Sequence, residues 1–317
     1  MEPVDDAPGT GAADGRRAIG VIDEWPEKVQ TGARPAPQAP PDCPRQPPHR
    51  FPSRGRRTVK VIILAAGQGR RLLPLTAEIP KALLDIGGQT LIGRQIDAFA
   101  ACGIDEFVVV TGFGVDKMEE ALARIAARDG VTIRTVYNPF YAVSDNLASC
   151  WMARHEMDGD FIQVNGDNVF RSDLVEALLA AGGADISVAI NRKDAYDEDD
   201  MKVMLEGDRL TEIGKSLPLE AVDAEATGFY VFRRRGPALY RDTLEEMMRE
   251  PAALHQWFPA AIGRLARRVP VGVVDLTGHV WCEVDFPSDL TLARRLAAEW
   301  DAGRDSRPRP RLVSRRN

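Results

Sequence analysis

The chain is poor in the residues from which many reactive sites are built. It has 4 cysteines and 4 histidines in 317 residues. Cys43, Cys102, Cys150 and Cys282 lack metal-ligand spacing, and the last three stand in apolar settings that read as buried free thiols. His49, His155, His255 and His279 form no metal cluster and pair with no evident nucleophile. Excess positive charge is also missing. Lys and Arg total 41 against 47 Asp and Glu, a net charge of −6, so the chain has no electrostatic footprint for nucleic acid. No apolar run approaches the ~20 residues of a membrane span. The opening MEPVDDAPGTGAAD has neither the charged n-region nor the apolar h-region of a secretory signal, so a cytoplasmic location is expected. Aromatics make up only 7% of the chain, and Trp151, Trp257 and Trp281 are expected in the core. Two phosphate-binding signatures are absent as well. There is no G-x-x-x-x-G-K-[ST] run, and Gly67-Gln68-Gly69-Arg70-Arg71-Leu72 lacks the third glycine of a dinucleotide fingerprint.

An apolar content of 44% is enough for one sizeable core or two small ones. Eleven of the 22 prolines lie at or before Pro52. Residues 1–57 are therefore expected to be a disordered Pro/Arg-rich tail that cannot bury enough surface to offset its ordering entropy. Residues 58–300 are expected to form the folded domain, and 301–317 a second disordered tail, basic and interrupted by proline. Between the tails, strands and helices alternate. Strands are expected at 59–65, 106–111, 131–136, 160–164 and 185–190. Helices are expected from 91 to a stop at Gly103, over 116–128, over 145–155 with Ser144 as cap, and over 173–181 with Ser172 as cap. This succession predicts an α/β fold with a doubly wound, mostly parallel sheet. Beyond it, strands at 201–205, 209–213, 226–232, 271–276 and 281–285 point to a more antiparallel part. Helices are expected at 237–249 and 251–266, and a last one is opened by Pro287 and runs to about Trp300.

The stretch 59–84 carries the chemistry. A buried strand opens into Ala66-Gly67-Gln68-Gly69, followed by Arg70 and Arg71, and later by Pro80-Lys81. Glycines let backbone N–H groups approach an anion, and the cations neutralise it, so the stretch is a place to lay a polyphosphate. Asp167 and Asp285 each stand at a predicted strand end. Such ends line the crevice of an α/β sheet, where two carboxylates can converge on one Mg²⁺.

The wider string from Leu64 to Lys81, L-A-A-G-x-G-x-R-L-x-P-L-T-x-x-x-P-K, resembles the signature of the sugar-phosphate nucleotidyltransferases, which have a GT-A-like, Rossmann-type fold. Asn138-Pro139-Phe140-Tyr141 with Ser144-Asp145-Asn146-Leu147-Ala148-Ser149 is similar to the branch that contains phosphocholine, inositol-phosphate and phosphonate cytidylyltransferases. Asn165-Gly166-Asp167 and Glu283-Val284-Asp285 resemble that family's two metal aspartates. Arg192-Lys193, Asp199 to Val203 and Ile213-Gly214-Lys215 resemble its middle region. One departure is that Arg70 stands where the family usually has Ser or Thr.

The resemblance implies an enzyme that joins an NTP to a phosphorylated small alcohol, cyclitol or sugar and releases pyrophosphate, with Mg²⁺ as cofactor and CTP as the first expectation. Arg71 and Lys81 would be the catalytic cations. Leu64, Ala66, Gly67, Gly69, Arg70 and Asn146 would bind the nucleotide. Lys193, Lys215, Glu225 and Thr227 would meet the acceptor or its phosphate, in the antiparallel part. Asp167 and Asp285 would hold the metal. A guanylyltransferase acting on a cyclitol phosphate such as valienol 1-phosphate, in secondary metabolism, is the alternative within the class. A GT-A glycosyltransferase and a non-catalytic regulatory homologue are the alternatives outside it. Asp167-Asn168-Val169 lacks the second Asp of a D-x-D pair, which speaks against the glycosyltransferase. Neither nucleic acid nor membrane is an expected partner.

Overall fold

Alternation along the first strand decides the layers. The computed structural model describes residues 59–305. The expected tail 1–57 and the residues after 305 lie outside the described residues. In chain order the elements are β1 (Lys60–Leu64), α1 (Leu91–Ala100), β2 (Glu106–Thr111), α2 (Val115–Asp129), β3 (Thr132–Tyr137), α3 (Asn146–Met152), β4 (Phe161–Asn165), β5 (Asn168–Phe170), α4 (Ser172–Ala180) and β6 (Ile186–Asn191). They continue with β7 (Lys202–Glu206), β8 (Arg209–Gly214), β9 (Ala224–Phe232), α5 (Gly236–Met247), α6 (Pro259–Ala266), β10 (Gly272–Asp275), β11 (Trp281–Glu283) and α7 (Pro287–Asp305).

Successive side chains of a strand point to opposite faces. Val61 and Ile63 enter one core with Phe99 of α1, Leu122 of α2 and Leu178 of α4. Ile62, between them, enters the other core with Leu147 of α3, Tyr240 of α5 and Ile262 of α6. The sheet is thus covered by helices on both faces. In the second core the rings of Phe161, Phe232 and Tyr240 stack in series, each pair with centroids 4.5 Å apart. A third, smaller cluster joins Leu72, Leu84 and Leu91 to Val169, Val284, Leu290 and Trp300. It ties α7 and the β5–β11 pair to the loop that follows β1.

The main sheet has nine strands in the order β3-β2-β1-β4-β9-β6-β10-β8-β7. Strands β1 to β4 pair in parallel, as expected from the alternation. The expectation of a mostly parallel sheet is corrected by β9, which runs antiparallel to both β4 and β6 and inserts between them. β7 pairs antiparallel with β8 and also with the start of β9, so the sheet is mixed. β9 is bent where its register against β6 shifts. Gly228, at φ +80°, occupies that bend, and a Cβ there would lie 2.8 Å from Asn168 Nδ2 and 2.9 Å from Asn165 Nδ2.

Some boundaries differ from expectation for physical reasons. Ser144 does not cap α3. Its hydroxyl donates to Phe140 O at 2.8 Å, and the helix starts after Asp145. Ser172 is the first residue of α4, with Arg171 in the capping position. The single helix expected at 251–266 is a 3-10 turn, Pro251–His255, followed by α6, which starts at Pro259, a residue with no N–H to continue a preceding helix. α7 continues through Trp300 to Asp305, so the expected tail boundary at 301 is moved outward. Cys150 and Cys282 are buried free thiols as expected, and Cys102 is half-buried.

Candidate active site

The loop after β1 closes on itself before it offers anything to a ligand. Thr76, fully buried, donates its hydroxyl to Gly69 O at 2.8 Å, and Gln68 donates its side-chain amide to Thr76 O at 3.2 Å. Gly69 has φ +75°, and a Cβ on it would stand 2.8 Å from Lys81 Cβ. Only glycine lets the loop lie against the Lys81 stem at that backbone conformation. Lys81 opens the 3-10 turn Lys81–Leu83, and its side chain is only 14% exposed.

The aspartates arrive from distant parts of the chain. Asp167 is in the turn between β4 and β5, and Asp285 follows β11. Antiparallel pairing of β5 with β11 sets Asn168 opposite Glu283, and Val284 N donates to Asp167 O at 3.1 Å. Asp285 N and Phe286 N both donate to Asp289 Oδ2, which fixes the entry into α7. Lys81 Nζ then meets Asp167 Oδ2 at 2.8 Å and Asp285 Oδ1 at 2.7 Å. Arg71 reaches Asp285 Oδ2 at 3.3 Å and lies over the Phe286 ring at 5.2 Å. The four residues expected to do the chemistry form one connected cluster.

Burial works against the charge of Lys81, but Asp167 and Asp285 outweigh it and hold the ammonium well above the usual lysine range. Burial likewise disfavours ionised Asp285, and Lys81 followed by Arg71 overcomes this and holds the carboxyl below its usual range. Glu283 has the opposite balance. Burial, then the charges of Asp167 and Asp285, push its carboxyl up to about 8.

Two clefts meet at this cluster. The first, of about 280 Å³, is lined by Leu64, Ala66, Gly67, Gly69, Lys81 and Tyr141, with Ser144 to Asn146 along one wall. The second, of about 350 Å³, is lined by Arg71, Lys215, Glu225, Glu283, Asp285 and Trp281 among others. Asn146, Asn165, Asp167 and Trp257 line both. The expected nucleotide residues thus gather around the first cleft, with one exception. Arg70 is exposed at the outer side of the loop and lines neither. Asn146 uses its Oδ1 to accept from Phe258 N at 2.8 Å, which leaves its Nδ2 for a ligand.

The expected acceptor residues divide. Lys215 lines the second cleft, 3.4 Å from Asp199 Oδ1 and 4.4 Å from the centroid of the Trp257 ring. Glu225 lines it too, accepting from Asn191 at 2.8 Å. Lys193 stands behind Glu225, in ion pairs of 2.8 Å with Glu225 and with Asp200. Thr227 is not brought to the cleft. Its side chain is 0% exposed and its hydroxyl donates to Ala189 O at 3.2 Å, inside the bend of β9. Trp257, Trp281 and Glu283 are among the lining residues that escaped the sequence reading, and Trp281 is half-buried where the core was expected. Trp257 is 42% exposed rather than core, because the helix break at 256–258 turns it outward. Glu283 was visible only as a neighbour of Asp285.

Residues 61–269 match the model of the MobA-like NTP transferase domain. A bifunctional IPC transferase and DIPP synthase from Rubrobacter xylanophilus is 32% identical over 266 residues, 82% of this chain and 57% of that protein. One from Aquifex aeolicus is 29% identical over 74% of this chain and 50% of that protein. The chain thus spans about half the length of these relatives. The solved inositol-1-phosphate CTP transferase from T. maritima superposes with a TM-score of 0.66 at 21% identity, covering 78% of this chain and 98% of that one. CTP:phosphocholine cytidylyltransferase from Streptococcus pneumoniae superposes with a TM-score of 0.60 at 21% identity, covering 76% and 99%.

Proposed function

Because the chain belongs to the MobA-like NTP transferase domain family, we propose that it is a nucleotidyltransferase that joins an NTP, CTP first, to a phosphorylated small alcohol, cyclitol or sugar and releases pyrophosphate. The observation that carries the reading is the Lys81 ammonium bonded to both Asp167 and Asp285 where the two clefts meet. An anionic nucleophile attacks an anionic phosphorus in this reaction. An oxygen of the acceptor phosphate forms a bond to the α-phosphorus, and the bond from that phosphorus to the α–β bridging oxygen breaks. The acceptor phosphate is already ionised, so no general base is needed, and catalysis is positioning plus charge neutralisation.

Each part of the site has a task in that step. The first cleft receives the nucleoside triphosphate, its phosphates against the loop of Gly67 and Gly69. Lys81 and Arg71 offset the charge that builds up as pyrophosphate leaves. The second cleft, in the antiparallel part of the sheet, receives the acceptor, with Lys215 and Arg71 on its phosphate. Asn146, on the shared wall, positions the nucleotide beside it. Asp167 and Asp285 fit Mg²⁺, a cation bound by one or two carboxylates that completes its shell with substrate phosphates. Among the described residues Asp167 Oδ1 is buried without a hydrogen-bond partner, an oxygen that calls for a cation. Bound there, Mg²⁺ would supply neutralisation of the phosphate charge.

CTP is favoured by two of the solved neighbours, the inositol-1-phosphate CTP transferase and the CTP:phosphocholine cytidylyltransferase. A matrix of the four NTPs against phosphocholine, inositol 1-phosphate and cyclitol or sugar phosphates, read by pyrophosphate release, tests the reading. CTP with one of these phosphates should release pyrophosphate. GTP with a cyclitol phosphate would move the assignment to the guanylyl alternative. Sugar transfer from an NDP-sugar without pyrophosphate would sink it.

A further inference from the structure

One buried charge lies outside the catalytic cluster. Lys202 opens β7 and is only 2% exposed. Lysine is almost never fully buried unless it is paired. Among the described residues, however, no carboxylate stands in ion-pair range of the Lys202 ammonium. Its three N–H donors go to backbone carbonyls instead, Lys215 O at 2.9 Å, Glu198 O at 3.3 Å and Asp200 O at 3.4 Å. A methionine of similar volume would fill the same space without the cost of desolvating a charge. Packing therefore does not account for a lysine at this position, and the three carbonyls do.

The position joins three segments that all end at the second cleft. Lys202 pairs with Gly214 of β8 on one side and with Glu225 of β9 on the other. Lys215 follows β8, and the loop 197–200 precedes β7. Asp199, Asp200, Lys215 and Glu225 line the cleft, whereas Lys202 stands behind them and does not. The loop is a unit of its own, because Asp197 Oδ1 accepts from the backbone N–H of Asp199 and of Asp200. On the cleft side, Lys193 holds Asp200 to Glu225 through two ion pairs. Behind the wall, Lys202 holds the loop to Lys215. The main chain of Lys215 is thus fixed by Lys202, and its side chain lies against the Trp257 ring.

We propose that Lys202 is a positioning residue for the acceptor, one that fixes the loop 198–200 against Lys215 from behind the wall and so sets where the Lys215 ammonium meets the acceptor phosphate. The proposal rests on the nucleotidyltransferase reading and adds to it a residue that touches neither substrate. Lys202 takes no part in bond making. It has no bond to the loop of Gly67 and Gly69 that serves the nucleotide, so its loss separates the two substrates.

The test uses the full chain with Mg²⁺, CTP and either phosphocholine or myo-inositol 1-phosphate, and follows pyrophosphate release. In Lys202→Met the KM for the acceptor should rise by about ten- to a hundredfold, the size of effect expected when a binding group is misplaced by an ångström or so. The KM for CTP should stay within about twofold. Lys202→Arg, which keeps the charge and the donors, should recover part of the loss. Lys215→Met should raise the same KM, and adding Lys202→Met to it should cost little more, since one acts through the other. General damage to the fold would instead lower kcat through a smaller active fraction and would add fully to Lys215→Met. Independently of turnover, backbone hydrogen exchange at 198–201 and 214–216 should quicken in Lys202→Met, while exchange at 64–69 should not. Should Lys202→Met fail to fold, Lys202→Gln carries the same comparisons. An unchanged KM for the acceptor, an equal loss for both substrates, full additivity with Lys215→Met or unaltered exchange at 214–216 would overturn the proposal and leave the nucleotidyltransferase reading standing. No pyrophosphate from the wild-type chain with any of the four NTPs and either phosphate would remove both.

Discussion

At Lys81 one ammonium lies within 2.8 Å of two carboxylates and bonds to both. Removing one preorganised electrostatic partner of a reacting phosphate costs on the order of 10²–10³ in rate. Lys81→Ala and Asp167→Ala should each lower turnover by that much with an unchanged far-UV circular dichroism spectrum. A near-normal rate in either variant would take that residue out of the site. Arg71, Lys81, Asp167 and Asp285 were legible in the sequence because each sits beside a glycine turn or a strand end within a recognisable string. Glu283 was not, because its proximity to Asp167 exists only through the pairing of β5 with β11, and β5 is three residues long. Thr227 failed in the other direction. It stands beside residues that do face the cleft, but the bend at Gly228 turns it into the core, and no local pattern announces such a bend.

At the scale of elements, the loop after β1 depends on one backbone conformation. Gly69→Ala would force a Cβ into the left-handed region, at a cost of about 1–2 kcal/mol, and against the Lys81 stem at 2.8 Å. Urea unfolding should show a loss of that size. Turnover should fall further than the stability loss alone explains, since the displaced side chain is Lys81. Wild-type activity in a destabilised variant would show that the loop does not position Lys81. The parallel half of the sheet was readable from the chain because its strands are buried on both faces and appear as unbroken apolar runs such as Val108 to Val110. The position of β9 was not readable. Its strand character is plain, but its insertion between β4 and β6 depends on pairings dozens of residues apart, about which local hydrophobicity carries no information.

The molecule as a whole should report the buried acid through its stability. The Glu283 carboxyl is pushed from 4.5 up to about 8 on folding. Between those values the folded protein keeps a proton that the unfolded chain has lost, so stability is fully present below about pH 4.5 and declines as pH rises toward 8. Asp285 and Glu246 titrate below their usual range and act only in the acid region, outside this window. Melting temperatures in EDTA should fall from pH 5 to pH 8, and Glu283→Gln should flatten the decline. An equal slope in both proteins would place the group's titration elsewhere. The Lys81 bridge has a kinetic consequence too. On the proposed reading, the ligand-free site is already self-neutralised, so Mg²⁺ alone gains little by displacing an ammonium. A triphosphate offers Lys81 a new anion at the moment the aspartates need a new cation. Metal and nucleotide should therefore raise each other's affinity by the same factor, with weak Mg²⁺ binding alone and tight binding once CTP is present. That linkage favours loading metal and nucleotide together, because the triphosphate receives Lys81 as the metal takes its aspartates, and the acceptor finds a competent partner only once both are in place.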